Sequence, residues 1–311
     1  MTIFERFANA YSYGGLKEII RKSTTHAIYR INNFATKRKV DSRYPEYGLY
    51  SGSERKKKII VSLTSYPKRF ETISIALKSL LLQTVKPDKI IVYLGNDTLP
   101  DDITTDMKEM ENYGVEYRID STQNLMAHKK YFYAMQDYPN DIVVTADDDL
   151  YYPLDWLESL VKAHDMNPKV ICARRVHLMK ANGLCLEEYN HWEDQCRRIT
   201  EPSYALFATS GSGKLFPPGS LCKEAFNTQA IKDLCLKADD IWLKCMEVLS
   251  GTPVMWVKNW EVDQMSVDSI QSIQEGSLAA ANVEQCGNDA MLYVVMKQYG
   301  IKTEDFFREY C

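Results

Sequence analysis

The sequence predicts an α/β protein: a mixed, mainly parallel sheet flanked by helices, with helical extensions at both ends. Three observations carry that expectation. Short, β-branched apolar runs recur between residues 58 and 146, each suited to a strand buried on both faces. Between them apolar residues fall at helical spacing, and strands alternating with helices imply βαβ units and a parallel sheet. The chain of 311 residues, 45% of them hydrophobic, is long enough to bury a core without disulfide staples.

The elements follow in order. Residues 1–40 carry Ile3, Phe4, Phe7, Ala10, Tyr11, Leu16, Ile19 and Ile20 at roughly helical spacing, flanked by Arg21, Lys22, Lys37, Arg38 and Lys39. Residues 41–58, with Pro45, Gly48, Gly52 and the run Arg55-Lys56-Lys57-Lys58, read as a linker. The first strand is Ile59–Thr64, and a helix follows from Phe70 to Gln83. The second strand, Ile90–Leu94, stops at Gly95-Asn96-Asp97. A helix over 101–112 and a third strand over 115–119 come next. A helix over 128–136 then leads to a fourth strand, 141–146. Open parallel sheets bind ligands in the crevice beyond the strand C-termini, so the chemistry is expected there.

Charge divides the chain. Residues 1–58 have a net charge of +8 and the remainder −12. An acidic body argues against nucleic acid as a partner. The basic arm suits an anionic membrane surface, or a helix that packs on the body or on another subunit. The first residues do not read as a secretory signal, and no apolar run reaches the length of a membrane span. The eight cysteines show no C-x-x-C pair and no zinc-finger spacing, which fits mostly buried reduced thiols and a cytoplasmic location, with the arm allowing a peripheral membrane position.

The fourth strand runs into Asp147-Asp148-Asp149. Three adjacent carboxylates repel one another, and a divalent cation relieves that repulsion. Carboxylate oxygens suit Mg²⁺ or Mn²⁺ held by one or two carboxylates together with substrate phosphates. An acidic turn that caps the next helix is the competing reading.

The run Ile60–Arg69, the helix end Ser79–Thr84 and the run Val143–Asp149 resemble a GT-A glycosyltransferase of the family-2-like group, over about residues 58–260. The resemblance implies a nucleotide-sugar donor, foremost a UDP-sugar, and a D-x-D motif whose metal bridges the donor diphosphate. By that resemblance Asp149 is a direct metal ligand. Asp147 serves the metal and the donor ribose or sugar, and Asp148 is left to either role. Thr64, Ser65, Tyr66 and Arg69 match the loop that lies against the nucleoside. Many members carry an acidic cluster after the second strand; here Asp97 stands as a candidate base contact. Lys129 and Lys130, at a helix start that favours anions, are candidates for the diphosphate, one of them facing the site. His128 reads as a local hydrogen-bonding residue.

The second half is read as the acceptor half. A helix over 154–164 and a strand over 169–173 precede an irregular, aromatic stretch, 178–206. Gly211-Ser212-Gly213-Lys214 lacks the spacing and the Ser/Thr of a phosphate loop. Gly211 and Gly213 are instead expected to let backbone approach a bound sugar. Phe216-Pro217-Pro218 suits a turn or an edge rather than a central strand. Asp239-Asp240 opens a helix that includes Trp242. Capping explains two acids there. The family resemblance adds another role: Asp240 matches the general base that takes the acceptor hydroxyl proton, with Asp239 beside it. Residues 255–257 read as a last strand. Beyond 262, a helix headed by Gly287-Asn288-Asp289 belongs to a helical extension covering the acceptor side.

The expected organisation is an arm and linker (1–57), a catalytic domain (58–262, its nucleotide half ending at 150) and a C-terminal extension (263–311). The expected function is inverting, metal-dependent sugar transfer to a saccharide or lipid-linked saccharide in glycan assembly. A sugar-nucleotide nucleotidyltransferase is the rival enzyme, but residues 64–69 contain no glycine for its phosphate loop. A non-catalytic carbohydrate-binding protein on the same fold is the rival from another class. Oligomerisation is left open.

Overall fold

The computed structural model describes residues 3–258, 265–266 and 287–310. Helix α1 runs Ile3–Arg43 and is interrupted at Gly15, whose φ of 60° and ψ of −155° are not helical. Its C-terminal end touches the body: Val40 is buried with Leu82 and Tyr151. The segment expected as a linker lies along the body. Gly48 N–H donates to the Tyr113 carbonyl (2.9 Å) and Tyr50 N–H to that of Pro87 (2.8 Å). A Cβ on Gly48 would come within 2.8 Å of the Leu81 Cα, so only glycine allows this approach.

The next elements alternate as expected: β1 (Ile59–Thr64), α2 (Phe70–Leu81), β2 (Lys89–Leu94), α3 (Thr105–Glu111), β3 (Val115–Ile119), α4 (Lys129–Asp137) and β4 (Ile142–Thr145). Helix α3 starts later than the spacing suggests. Pro100–Asp102 form a separate 3₁₀ turn, and the Thr104 hydroxyl then caps α3 by accepting from Met107 N–H. There follow β5 (Leu150–Tyr151), α5 (Trp156–Met166), β6 (Ile171–Ala173), β7 (Val176–Leu178), β8 (Ala181–Asn182), β9 (Cys185–Leu186) and β10 (Leu206–Ala208). The last group is β11 (Lys214–Phe216), α6 (Thr228–Ala230, continuing as a π-turn to Cys235), α7 (Asp239–Leu249), β12 (Val254–Trp256), β13 (Met265–Ser266) and α8 (Gly287–Tyr299).

Seven strands form one sheet in the order β12-β6-β11-β4-β1-β2-β3. All neighbours are parallel except β11, which is antiparallel to both β4 and β6. The mixed, mainly parallel sheet that the sequence predicts is therefore the observed one. Phe216 corrects the sequence reading: it closes a central strand, paired with Val143, and not an edge or turn. Its prolines lie just past the strand, so they cost the ladder nothing. Helices α2, α3 and α5 pack one apolar layer on one sheet face around Leu63, Val92 and Trp156. Helices α4, α7 and α8 pack a second on the other face around Phe216, Trp242 and Leu292.

Strand order reverses between β1 and β4. Chains leaving those two strands diverge there and open a crevice. Of the six cysteines described, Cys172, Cys196, Cys235 and Cys245 are buried free thiols, while Cys185 is exposed. Among the described residues no helix is long and apolar enough to cross a membrane. Of the expected C-terminal extension, α8 and the segment to residue 310 fall within the described residues; 263–264 and 267–286 lie outside them.

Candidate active site

The crevice between β1 and β4 is the mouth of a cleft of about 580 Å³. Thr64, Ser65, Tyr66, Arg69, Asp97, Lys129, Lys130, Asp147, Asp148, Asp149, Asp239 and Asp240 all line it. Of the fifteen residues singled out from sequence, only Gly211, Gly213 and Trp242 are absent from its wall.

The first acid group follows β4. Asp148 accepts from the Ser65 hydroxyl (2.5 Å) and from the Arg69 guanidinium (2.5 Å), so its carboxylate ties the β4 exit to the β1 exit. Arg69 also lies 3.1 Å from Asp149. Burial, then repulsion from Asp147 and Asp148, push the Asp149 carboxyl up to about 6, against the pull of Arg69. Asp147 takes a 2.7 Å bond from Lys130 Nζ. Its backbone N–H donates to the Tyr152 hydroxyl (2.7 Å), which in turn donates to the Gly211 carbonyl (3.0 Å).

These residues suit a divalent cation. Crowded carboxylates whose like charges force one of them toward its neutral form would be relieved by a cation beside Asp149 and Asp147. Among the described residues no three His, Cys, Asp or Glu side chains converge on one point. A cation held here by one or two carboxylates would need its other ligands from outside the protein, such as phosphate oxygens and water.

The second acid group opens α7. Asp240 Oδ1 accepts from the Ser210 N–H (3.0 Å) and from the Ser210 hydroxyl. Both bonds fall on one oxygen, which leaves Oδ2 to take a proton. Burial and the neighbouring Asp239 push the Asp240 carboxyl up to about 6, while Lys214 and Lys130 pull it down. Asp239 differs. Burial works to raise it, but Lys130 and His128 outweigh that and hold it below the usual carboxylate range.

Lys130 joins the two groups, 2.7 Å from Asp147 and 3.1 Å from Asp239. Burial works against its charge, but Asp147, Asp239 and Asp240 hold it firmly protonated. The Ser62 hydroxyl, on β1, bonds its carbonyl and anchors this turn of α4. Lys129 also lines the cleft, where its Nζ donates to Asn124 Oδ1 (2.9 Å). His128 is buried and bonds locally, with Nε2 2.9 Å from the Cys235 carbonyl and Nδ1 2.9 Å from the Tyr131 hydroxyl.

Three acceptor-side expectations need correction. Trp242 is wholly buried in the core and donates to the Ala225 carbonyl (3.1 Å), because the fourth residue of α7 lies on its inward face, against Tyr299 of α8. Gly213 is required by its φ of 101° and by Trp156, whose indole nitrogen would lie 2.3 Å from a Cβ there. Packing, not approach of a sugar, explains it. Gly211 is buried as well; a Cβ there would sit 2.9 Å from Asp147 Oδ2, so it makes room for the acidic turn. The part of the cleft wall that the second half of the chain supplies instead includes Arg175, His177, Tyr189, Phe207 and Lys237, with Asn288 from the head of α8. Asp289 accepts from Tyr189 N–H (2.7 Å) and ties that helix to the wall.

Sequence reasoning missed Ser210, Lys214 and Tyr152. No local signal marks Ser210 or Lys214, since both act on residues about 30 positions away. Tyr152, fully buried five residues past Asp147, is suggested only by a polar aromatic next to an acidic run.

Residues 61–205 match the model of glycosyl transferase family 2. The span begins in β1 and holds the loop 64–69 and the three aspartates, the same residues that carry the sequence resemblance. The chain thus resembles a GT-A, family-2-like glycosyltransferase; Ser210, Asp239 and Asp240 fall beyond the matched span. No curated protein matches the sequence. Among solved structures, the mannosyltransferase PcManGT from Pyrobaculum calidifontis in complex with GDP-Man and Mn²⁺ is 13% identical, over 91% of this chain and 84% of that one, at a TM-score of 0.42. GalNAc-T7 with UDP, GalNAc and Mn²⁺ is 9% identical, over 67% of this chain and 43% of that one, at 0.42. A CMP:2-keto-3-deoxy-manno-octonic acid synthetase complexed with CTP is 10% identical, over 74% of this chain and 100% of that one, at 0.43. Likenesses this distant carry no argument about what this chain binds.

Proposed function

We propose that this family-2-like chain is an inverting glycosyltransferase that moves a sugar from a nucleotide-sugar donor, foremost a UDP-sugar, to a saccharide or lipid-linked saccharide in glycan assembly. The reading rests on one observation above others. Two acid groups line a single cleft at the strand-order switch, bridged by one buried lysine.

The nucleoside would lie against Thr64–Arg69 and Lys129, with Asp97 at the rim for the base. Asp149 and Asp147 would hold a divalent cation, Mg²⁺ or Mn²⁺, which when bound neutralises diphosphate charge and so favours its departure. Lys130 adds a fixed positive charge on the same side and keeps Asp147 in place. Asp240 Oδ2 takes the proton of the acceptor hydroxyl. As that oxygen bonds to the anomeric carbon, the bond from carbon to diphosphate breaks and the nucleoside diphosphate leaves with the electron pair. Ser210 fixes the base through Oδ1, so its free oxygen has one direction of approach. The wall of Arg175, His177, Tyr189 and Phe207 receives the acceptor. A cytoplasmic protein bound peripherally to a membrane fits a lipid-linked acceptor.

The test is a panel of nucleotide sugars screened by thermal shift with Mn²⁺, followed by transfer assays with the donors that bind. A binding donor raises stability by mass action. One class should stabilise the protein and be consumed with inversion at the anomeric carbon. Retention would overturn the role of Asp240, and stabilisation by no nucleotide sugar would overturn the donor assignment.

A further inference from the structure

We propose that α1 is a docking element for an anionic lipid surface, and that the face carrying Leu16, Ile20, Ile31 and Phe34 enters it. Past Gly15 the helix continues without a break to Arg43, about 40 Å at ~1.5 Å per residue. At ~100° per residue, those four side chains fall within a sector of roughly 60°. They are 66%, 57%, 69% and 65% exposed, and so form a line of large apolar groups in water. Val40 is fully buried against Leu82 and Tyr151, and it lies well over 100° around the helix from that sector. The body therefore meets the opposite side of the helix, and the apolar line faces away from it.

Charge identifies what covers that line. Between Leu16 and Arg43 the sequence has eight Lys or Arg and two Asp or Glu. A second copy of the arm laid against the first would bring two strongly positive helices together along their length, which like-charge repulsion opposes. Nucleic acid would satisfy the charge but leave the apolar line in water. An anionic bilayer satisfies both: headgroups meet the cations, and the acyl boundary takes the apolar side chains. The acidic body, repelled by the same surface, would be held off it by its own charge. The inference stands on the arm alone and does not depend on the chemistry in the cleft.

The test uses the full chain and two vesicle compositions, phosphatidylcholine alone and phosphatidylcholine mixed with phosphatidylglycerol. Co-sedimentation is expected with the mixed vesicles and to weaken as salt rises. Little is expected with phosphatidylcholine alone. The double variant Ile31→Glu/Phe34→Glu should bind the mixed vesicles at least about tenfold more weakly, given the apolar transfer it forfeits. Both side chains are exposed, so its thermal midpoint should equal that of the unchanged protein. Equal vesicle binding by the two proteins overturns the proposal. So does an unchanged protein that ignores both vesicles yet is dimeric by light scattering and becomes monomeric in the double variant, because the occupant is then a second copy.

Discussion

The two acid groups that line the cleft are built from the same residue and are held in opposite ways. Asp147-Asp148-Asp149 lies on a turn just past a strand, with no helix start beneath it, so its charges are met by side-chain cations from elsewhere in the fold. Asp239-Asp240 sits at the N-terminus of α7, where free N–H groups and the helix dipole already favour negative charge. In each group one carboxylate is consumed by structure: Asp148 by Ser65 and Arg69, Asp239 by Lys130. In each, a neighbour is pushed up to about 6, Asp149 in the first and Asp240 in the second. The difference lies in what each free acid meets. Asp149 faces two further carboxylates and shares the Arg69 guanidinium with Asp148, a setting that a divalent cation would relieve. Asp240 has one oxygen pinned by Ser210 and the other open, a setting that suits proton transfer.

Five experiments would break or sharpen this contrast. The largest effect is expected from Asp240→Asn. Transfer should fall by about two to four orders of magnitude, while donor affinity remains near that of the unchanged enzyme. Asn is isosteric with Asp, and its Oδ1 can keep both bonds from Ser210, so stability should hold. Turnover that survives would reduce Asp240 to a structural partner of Ser210. A larger loss in Asp239→Asn would move the base by one residue.

Next comes Asp149→Asn. Calorimetry of UDP with Mn²⁺ should show at least a tenfold loss of affinity, with the melting profile retained. Unchanged metal-dependent affinity in both this variant and Asp147→Asn would remove the cation from the first group.

Lys130→Met tests the bridge. It leaves buried Asp239 and half-buried Asp147 without their shared cation, and breaking a buried pair costs about 3–5 kcal/mol. Denaturant unfolding should show the loss at neutral pH. A change within experimental error would mean that each acid group is balanced without the other.

The fourth experiment is a pH profile at saturating donor. The base must be unprotonated to work, and its carboxyl is pushed up to about 6. The transfer rate should therefore be level above that pH and fall about tenfold per unit below it. A level profile down to pH 5 would contradict a base whose pKa is raised so far.

The smallest effect is expected from Trp242→Phe. It removes the indole bond to the Ala225 carbonyl and leaves the cleft intact, so stability should drop by about 1 kcal/mol with KM for acceptor unchanged. A raised acceptor KM would return Trp242 to the acceptor wall.

Much of the stretch from β1 to β4 was legible in the chain because its elements are local. The run Ile59–Thr64 can be little but a buried strand, and the spacing Ile73, Leu77, Leu80 and Leu81 little but one face of a helix. Asp147–Asp149 could be placed from the position of their strand alone. The stretch after β4 was less legible. Lys214–Phe216 is three residues long, too short for periodicity to register, and its place between β4 and β6 is set by pairing partners 69–73 and 41–43 positions away. Trp242 and Gly213 read equally well as sugar contacts or as packing, since an aromatic ring or a missing Cβ serves either purpose.

By itself the sequence determined the alternation of strands and helices, the two acidic runs, their position at element ends and the charge contrast between arm and body. Each follows from near neighbours along the chain, through periodicity, capping preference and composition. Only the tertiary structure decided which carboxylates are tied up and which are open. That depends on Ser65, Arg69, Lys130 and Ser210 arriving from other elements at hydrogen-bond distance, and a bond of about 3 Å between residues far apart in sequence leaves no trace in local pattern. It also decided that Lys214, Lys244 and Glu247 meet wholly buried behind α7, with Lys214 Nζ 2.6 Å from Glu247 Oε1. Three charged residues in a row of text look like surface; inside a sheet-and-helix sandwich the missing water makes them partners.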